Sequence, residues 1–305
     1  MSFRKRVSLQ DKMKGIIEEP LLQMVPKSFD YIGDVVIISI PPELAAYKET
    51  IASKLFSMRG NTRAVLNKVS KLEGEHRVAH FELLLGETTE TIHRENGYTY
   101  SLDVKKVFFN PRLYSERGRI ASKVQFGEHI IIPFAGVGPF VLPAAGKGAK
   151  VCAIEINPDA CTCLQENIRI NRLEGQITVI QEDFENLFLM LNSKKRNEEL
   201  VNMAFSDRSG CLGPEKDEGK CFKVHEAGFD RAIVPTPYGM DHFLGEVSML
   251  VRKGGHIHFY TFKAESQIPG LIDEYKKMGL DVELYRRVGN IAPGINRWVF
   301  DLIKS

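Results

Sequence analysis

Apolar residues in the first third of the chain come in short runs separated by polar turns. Residues 35–40 form a nearly uninterrupted apolar run that predicts a strand, and Pro41 and Pro42 end it. Apolar positions at helical spacing follow over residues 43–58. Further short strands are predicted at residues 64–69, 77–84, 90–93 and 98–104. The pattern predicts a small α+β domain at residues 26–108, preceded by a charged extension of residues 1–25.

From residue 109 onward the pattern changes to buried strands that alternate with amphipathic helices. A helix is predicted at residues 112–124, and strands at residues 129–133, 150–154, 177–180, 229–234 and 256–262. A polar insertion at 192–227 interrupts this alternation of strands and helices. Two last segments, 281–287 and 297–303, would close the sheet as an antiparallel pair. The region 109–305 is therefore predicted to be an α/β domain, with a Rossmann-like doubly wound sheet and an antiparallel edge hairpin.

Composition and charge limit the classes of function. The 305 residues are 43% hydrophobic and 26% charged, as in ordinary globular proteins. The net charge of +2 is too small for a protein that coats nucleic acid through bulk electrostatics, so any RNA contact must come from a local patch. One such patch is predicted between Glu49 and Glu73, where no acidic residue interrupts five cations: Lys54, Arg59, Arg63, Lys68 and Lys71.

The cysteines and the apolar runs predict a cytoplasmic protein. The five cysteines are odd in number and include no CxxC pair, which favours a reducing compartment and argues against a metal site. The basic N-terminus precedes no apolar segment of a secretory signal. The longest uncharged run, residues 130–146, contains three prolines and is shorter than a membrane span of about 20 residues. We therefore expect no membrane contact.

Acidic residues and a glycine turn follow consecutive strands of the predicted doubly wound sheet. Gly136 and Gly138 follow the first strand, Glu155 ends the second, and Asp183 follows the third. A glycine turn lets the backbone approach a ligand, and an acidic residue at the end of the second strand accepts hydrogen bonds from ribose hydroxyls. Asp183 is placed to meet an adenine amino group. This spacing alone fits a nicotinamide dinucleotide as well as S-adenosylmethionine.

Two details of the glycine turn favour S-adenosylmethionine. Val141 stands where the dinucleotide fingerprint has its third glycine. Pro139 follows the turn, where a helix that binds a diphosphate needs free N–H groups. S-adenosylmethionine carries no diphosphate, so we expect it as the cofactor.

The segment after the fourth strand is a candidate wall for the acceptor that receives the transferred group. Pro235, Thr236 and Pro237 form a rigid exit from the strand, and Tyr238 could stack on a planar substrate. The alternative is a tight turn with Tyr238 packed in the core. His256 and His258 alternate on the next strand and are expected to be core residues rather than ligands.

The start of the helix at residues 112–124 holds a candidate base and candidate phosphate ligands. Arg112 and Glu116 are four residues apart and are expected to share one face. A carboxylate there could act as a general base, while Arg112, Arg117 and Arg119 could hold phosphates. Spacing alone equally fits a solvated, salt-bridged helix face.

Taken together, these segments resemble the archaeal and eukaryotic tRNA guanine-N1-methyltransferases and their wybutosine-pathway relatives. The similarity runs from about Ser28 to the end of the chain. It is carried by SFDYIGD at 28–34, LNKV at 66–69, EGEHR at 73–77, FNPRLYSER at 109–117 and FAGVGPF at 134–140.

The resemblance implies a class I methyltransferase that binds S-adenosylmethionine and acts on tRNA. It implies that Glu116 takes a proton from the acceptor nitrogen and that Arg77 steadies the charge that develops on the acceptor. The expected cofactor-binding residues are Phe134, Gly136, Gly138, Glu155, Ile156, Asp183 and Pro235. The expected substrate-binding residues are Arg112, Pro237 and Tyr238.

The chain departs from the family pattern in three places. Ile132 and Pro133 stand where the family has an aspartate before the FAGVGPF turn. Pro235, Thr236 and Pro237 replace the usual Asn-Leu-Pro or Asn-Pro-Pro, in which the asparagine helps to recognise the target base. The additional N-terminal domain with which many members grip the tRNA elbow is not expected here.

These departures leave four hypotheses for the function. The first is methyl transfer to a ring nitrogen of a tRNA base, guanine N1 next to the anticodon. The second is N-methylation of another acceptor, a protein side chain or a small cofactor. The third is transfer of the aminocarboxypropyl arm to a wybutosine precursor in tRNA. The fourth is a non-catalytic RNA-binding or interaction protein, which loss of cofactor binding would favour.

Overall fold

The computed structural model describes residues 7–70, 79–192 and 228–305. Residue contacts divide the chain into two compact units, Met1–Arg112 and Leu113–Ser305. The change of sequence pattern at 108–109 lies close to this division. Arg77, Lys71 and residues 193–227 of the predicted insertion lie outside the described residues.

The described part of the first unit contains three short helices, six strands and short 3-10 segments. Its helices are α1 Leu9–Met13, α2 Leu21–Met24 and α3 Lys48–Met58. Its strands are β1 Asp30–Ile32, β2 Val35–Ile38, β3 Ala64–Lys68, β4 Phe81–Gly86, β5 Glu90–Glu95 and β6 Tyr98–Asp103. The helix predicted at 43–58 begins as a 3-10 helix over Pro42–Tyr47, and the α-helix starts at Lys48.

Helix α3 connects two parallel strands in the middle of the first unit's sheet. The strand order is β1-β2-β3-β4, with β2 and β3 parallel and the outer pairs antiparallel. Ile51 and Leu55 of α3 are fully buried with Val36 and Val65 of the central strands. Strands β5 and β6 form a separate hairpin.

The second unit alternates helices and strands as the sequence predicts. Its helices are α4 Tyr114–Lys123, α5 Val141–Ala145, α6 Pro158–Ile170, α7 Phe184–Asn192, α8 Leu244–Leu250 and α9 Ile268–Lys277. Its strands are β7 His129–Pro133, β8 Lys150–Glu155, β9 Ile177–Gln181, β10 Phe229–Val234, β11 Val251–Lys263, β12 Leu280–Ala292 and β13 Ile295–Lys304. No helix among the described residues is long and apolar enough to cross a lipid bilayer.

These seven strands form one mixed sheet. The order is β12-β13-β11-β10-β7-β8-β9, in which β13 is antiparallel to β11 and to β12 and the other neighbours are parallel. The chain reverses its direction of travel across the sheet between β7 and β10, and ligands of such sheets bind at the carboxyl ends of the strands near this point. The predicted doubly wound fold with an antiparallel edge hairpin is confirmed.

The edge hairpin is longer than the sequence pattern indicates. Strand β12 begins at Leu280 and continues to Ala292, whereas apolar alternation predicts only 281–287. Most of its side chains are exposed because β12 is the edge strand, so the alternation that marks a half-buried strand is weak there.

Candidate functional site

The glycine turn after β7 forms one side of the candidate site. Phe134, Gly136 and Gly138 adopt positive φ angles of 57°, 56° and 92°. A Cβ atom on Gly138 would lie 2.5 Å from Leu164 Cδ1, so glycine here allows α6 to pack against the turn. A Cβ atom on Gly136 would have no neighbour within 4 Å. The backbone at Gly136 therefore faces open space, as a ligand-binding turn requires.

Glu155 lies beside this turn at the end of β8. Its Oε2 accepts a hydrogen bond from the Gly136 amide at 2.7 Å, and its Oε1 accepts one from the Asn157 amide at 2.9 Å. Asn157 in turn caps α6 by accepting from the Asp159 amide. The half-buried Ile156 lies between the two residues. Backbone donors thus fix the position of the Glu155 carboxylate.

Asp183 follows β9 and caps α7. Its Oδ1 accepts from the amides of Glu185 and Asn186 at 2.8 and 3.1 Å. Its Oδ2 makes no hydrogen bond to any residue that the structure describes. One oxygen of Asp183 therefore holds the helix, and the other is available to a ligand.

An aromatic cluster closes this end of the sheet. The ring of Phe134 lies 6.0 Å from that of Phe184 and 5.7 Å from that of Phe243 between centroids. Phe184 and Phe243 are buried and meet edge to face. Neither was predicted from the sequence, because an isolated phenylalanine in an amphipathic segment carries no sign of which cluster it joins.

The loop after β10 carries the residues expected to contact the acceptor. Thr236 is buried, while Pro235 and Pro237 are half-buried. Tyr238 is 54% exposed, and its ring meets the ring of Phe262 edge to face at 5.3 Å. The alternative interpretation, with Tyr238 packed in the core, does not agree with this exposure.

Glu116 lies in the first turn of α4 and is 3% exposed. Its carboxylate accepts hydrogen bonds from Arg119 Nη2 at 2.7 Å, from the Tyr260 hydroxyl at 2.9 Å, and from Arg286. Burial raises the pKa of Glu116, but the charges and hydrogen bonds of Arg119, Tyr260 and Arg286 outweigh it and hold the pKa below its usual value. Glu116 is therefore ionised at neutral pH.

Tyr260 connects Glu116 with the glycine turn. Its hydroxyl donates to Glu116, and its ring lies 5.5 Å from the ring of Phe140, which ends the FAGVGPF segment. Within the second unit, the buried carboxylate and the turn thus contact the same side chain.

The guanidinium of Arg119 extends the charged cluster into the core. It binds Asp301 at 2.6 Å, and Asp301 also accepts from Lys123 and from His258 Nδ1, each at 2.7 Å. His258 Nε2 lies 2.7 Å from Arg231 Nη1, which can only donate, so the neutral histidine carries its proton on Nδ1. Burial lowers the pKa of His258 in agreement with this state. Burial raises the pKa of Asp301, but its three donors outweigh it and hold the pKa far below the usual range.

The remaining predicted site residues lie elsewhere or outside the described chain. Arg112 belongs to a 3-10 turn over Pro111–Leu113, and its Nε binds Asp30 Oδ1 at 2.7 Å. Helix α4 therefore begins two residues later than predicted, and the partner of Glu116 on its own helix is Arg119. Arg77 lies outside the described residues, so its predicted role is not placed in the structure.

The chain is similar to two models of protein domains. The TRM5/TYW2 methyltransferase domain matches residues 91–209, and the TYW2 N-terminal domain matches residues 9–89.

Proteins similar to the chain include two archaeal enzymes that act on tRNA. The tRNA (guanine(37)-N(1))-methyltransferase Trm5b of Pyrococcus abyssi is 34% identical, over 91% of this chain and 74% of that protein. The tRNA(Phe) (4-demethylwyosine(37)-C(7)) aminocarboxypropyltransferase of Pyrococcus horikoshii is 31% identical, over 94% of this chain and 92% of that protein. A crystal structure of P. horikoshii TYW2 in complex with MeSAdo is 27% identical, covers 97% of this chain and 98% of that one, and has a TM-score of 0.69.

Proposed function

The chain belongs to the TRM5/TYW2 methyltransferase family, and we propose that it transfers the methyl group of S-adenosylmethionine to N1 of a guanine in tRNA. The observation that carries the proposal is the contact of Tyr260 with both Glu116 and Phe140. Through Tyr260, the ionised carboxylate of Glu116 is connected to the segment of the glycine turn, where the family's cofactor is expected.

Methylation of a guanine at N1 requires removal of the proton on that nitrogen. Glu116 is ionised and can accept it, but its donors also make it a weak base. Of the two arginines that bind Glu116, the Arg286 side chain is 43% exposed and that of Arg119 only 16%. Arg286 is therefore the partner that an incoming base can displace, and its departure raises the proton affinity of Glu116.

The described residues fit the cofactor. Gly136 borders open space, Glu155 is fixed beside it, and Asp183 has an oxygen without a partner in the described chain. When bound, S-adenosylmethionine supplies an activated methyl group on a positively charged sulfur. We propose that Glu155 binds its ribose, that Asp183 binds its adenine amino group, and that Phe134 and Ile156 pack against it, next to Gly138 and Pro235.

Glu155→Ala is expected to weaken S-adenosylmethionine binding by about 1 to 3 kcal/mol, because charge-assisted hydrogen bonds are lost. Isothermal titration calorimetry measures this difference. Glu174→Ala, at an exposed position between α6 and β9, is the matched control and should bind normally. Unchanged affinity in the Glu155 variant would remove Glu155 from the cofactor site.

A polar cleft in the first unit supports RNA as the acceptor. Its volume is about 720 Å³, and its lining includes three arginines, Arg59, Arg63 and Arg94, and two acidic residues, Asp34 and Glu90. All three arginines are exposed, although Arg63 also pairs with Asp34 at 3.4 Å. The cleft includes two of the five cations of the predicted patch, and cations of this kind bind phosphates without regard to sequence. The arginines of the lining outnumber its acidic residues by one, so the cleft keeps a small excess of positive charge.

Aminocarboxypropyl transfer is the second candidate function. The TYW2 N-terminal domain model matches residues 9–89, and the P. horikoshii aminocarboxypropyltransferase is covered over 92% of its length. Glu116 does not separate the two reactions, because a ring carbon that accepts the arm also loses a proton. The mass of the modified nucleoside distinguishes methyl transfer from aminocarboxypropyl transfer.

Incubation with methyl-labelled S-adenosylmethionine and either total RNA or total protein extract tests the class of acceptor. The proposal predicts label in RNA that nuclease releases and protease does not. Label that only protease releases would favour a protein acceptor. Absence of cofactor binding would favour the non-catalytic hypothesis.

A further inference from the structure

Two guanidinium groups project from the β12–β13 hairpin toward the face of the sheet that α4 covers. Tyr260, Val299 and Arg286 pair across β11, β13 and β12, so they form one row on one face. Tyr260 and Arg286 both bind Glu116 of α4, which identifies the face.

The next row along the strands belongs to the same face. Phe262 and Arg297 belong to it because side chains two residues apart on a strand share a face. Gly289 belongs to it because a register shift after Arg287 brings it opposite Arg297. Arg297 therefore lies beside the Glu116 cluster, one row closer to the end of β11.

Arg297 has no anionic partner among the described residues. Its guanidinium carbon lies 5.0 Å from the centroid of the Phe262 ring, and it makes no hydrogen bond or ion pair with any described residue. Burial lowers the pKa of Arg297; Tyr260 raises it, and the charge of Arg117 lowers it, so that the pKa lies below its usual value. An arginine stays protonated even so, and a partly buried charge without a partner is costly. Such a group is expected where an anion binds.

Space for an anion is open beside Arg297. Its neighbour on the edge strand is Gly289, and a Cβ atom there would have nothing within 4 Å. On the other side, Phe262 contacts the exposed Tyr238 of the loop after β10. The guanidinium thus lies between the open edge of the sheet and the proposed acceptor loop.

The position in the sheet assigns the anion to the acceptor. Strand β13 is two strands from β10 and four from β8, which bears Glu155. At a strand spacing of roughly 4.8 Å, Arg297 is about 10 Å from the acceptor loop's strand and about 19 Å from the strand of the expected ribose ligand. Arg297 therefore lies nearer to the proposed acceptor loop than to the expected ribose ligand, and this position favours a phosphate that arrives with the acceptor.

We propose that Arg297 binds a backbone phosphate of the RNA near the target base. The inference rests on the proposed function, since it assumes an RNA acceptor. It makes Arg297 a substrate-positioning residue. Phe262 holds the guanidinium from one side, and the phosphate supplies the missing negative charge.

The test compares tRNA binding by the wild type, Arg297→Met and Arg297→Lys over a range of salt concentrations. Methionine keeps an unbranched apolar stem against Phe262 and removes the charge, while lysine keeps the charge. Arg169→Met is the matched control, because Arg169 is exposed on α6 and, within the described part of the chain, forms an ion pair only with its helix neighbour Glu166. S-adenosylmethionine binding and thermal unfolding are measured for every variant, and inorganic phosphate is the competing probe.

We expect Arg297→Met to reduce tRNA affinity by about tenfold, the effect of one charge-assisted contact. The slope of log affinity against log salt should fall by about one. Arg297→Lys should keep most of the affinity, and cofactor binding should be unchanged. The melting temperature of Arg297→Met without RNA should be equal to or higher than that of the wild type, because an unpaired buried charge is removed.

Four results would overturn the inference. The first is normal tRNA affinity and salt slope in Arg297→Met, and the second is a loss of cofactor affinity in that variant. The third is a melting temperature of the RNA-free variant below that of the wild type. The fourth is that inorganic phosphate inhibits tRNA binding by Arg297→Met as strongly as tRNA binding by the wild type. Failure of the wild type to bind tRNA would remove the proposed function together with the inference. Normal wild-type binding with an unaffected variant would remove the inference alone.

Discussion

Glu116→Gln is expected to slow single-turnover methyl transfer to tRNA by about 10² to 10⁴-fold, the usual contribution of a positioned general base. Glutamine keeps the shape of the side chain and can still accept hydrogen bonds from Tyr260 and Arg119, but it cannot take the proton. S-adenosylmethionine affinity should stay unchanged, since the residues proposed to bind the cofactor lie on other elements. Rapid-quench kinetics with saturating enzyme measure the chemical step.

The pH dependence of the methyl-transfer rate is an independent test of the role of Glu116. Glu116 must be ionised to act as a base, so the wild-type rate should fall as pH decreases through its pKa. In the free protein that pKa lies below the usual value, so the acid limb of kcat/KM should lie on the acid side of an ordinary carboxyl group, and the neutral range should show no loss from this group. Glu166→Gln on the exposed face of α6 is the control. Near-normal turnover by Glu116→Gln would mean that Glu116 only positions Arg119 and Arg286 and does not act as the base.

Asp301→Asn is expected to lower the free energy of unfolding of the second unit by about 3 to 5 kcal/mol. Asp301 is 1% exposed and accepts hydrogen bonds from Arg119, Lys123 and His258. Loss of its charge leaves Arg119 and Lys123 with less compensation inside the protein. Urea unfolding followed by far-ultraviolet circular dichroism measures the difference, and the exposed Asp273→Asn is the control, expected within about 0.5 kcal/mol of the wild type.

The stabilisation by Asp301 should depend on pH in a defined direction. Its folded-state pKa is far below the unfolded value of about 3.9. The contribution is therefore complete above that value and is lost as pH falls toward the folded pKa. The difference between Asp301→Asn and the wild type should shrink in acid. A difference below about 1 kcal/mol at neutral pH would show that the cluster adds little to stability.

The positions of the residues proposed to bind the cofactor could be predicted from the sequence because they follow consecutive strands. Strand periodicity places Gly136, Glu155 and Asp183 at the ends of β7, β8 and β9, and parallel strands bring their carboxyl ends to one edge. The order of residues along the chain is enough to bring them together.

The charged cluster around Glu116 could not be predicted in the same way. Arg286 lies 170 residues from Glu116, and Asp301 lies 182 residues from Arg119. No local pattern connects residues so far apart, and the pairing depends on the register of β11, β12 and β13. Arg297 was missed for the same reason, because only the register places it beside Phe262 and Gly289.

Helix boundaries were the least predictable local feature. Spacing places Arg112 and Glu116 on one helix face, but Pro111 starts a 3-10 turn that ends at Leu113. A 3-10 turn has three residues per turn and changes the direction of its side chains relative to those of the helix that follows. Arg112 therefore binds Asp30 instead.

Methyl transfer to guanine N1 is tested by mass analysis of nucleosides from a tRNA transcript treated with the purified protein and S-adenosylmethionine. We expect a guanosine with one additional methyl group at N1, formed with the wild type, lost when the target guanine is replaced by adenine, and strongly reduced with Glu116→Gln. Guanosine left unmodified in every tRNA, or a nucleoside that carries an aminocarboxypropyl arm in place of the methyl group, would contradict it.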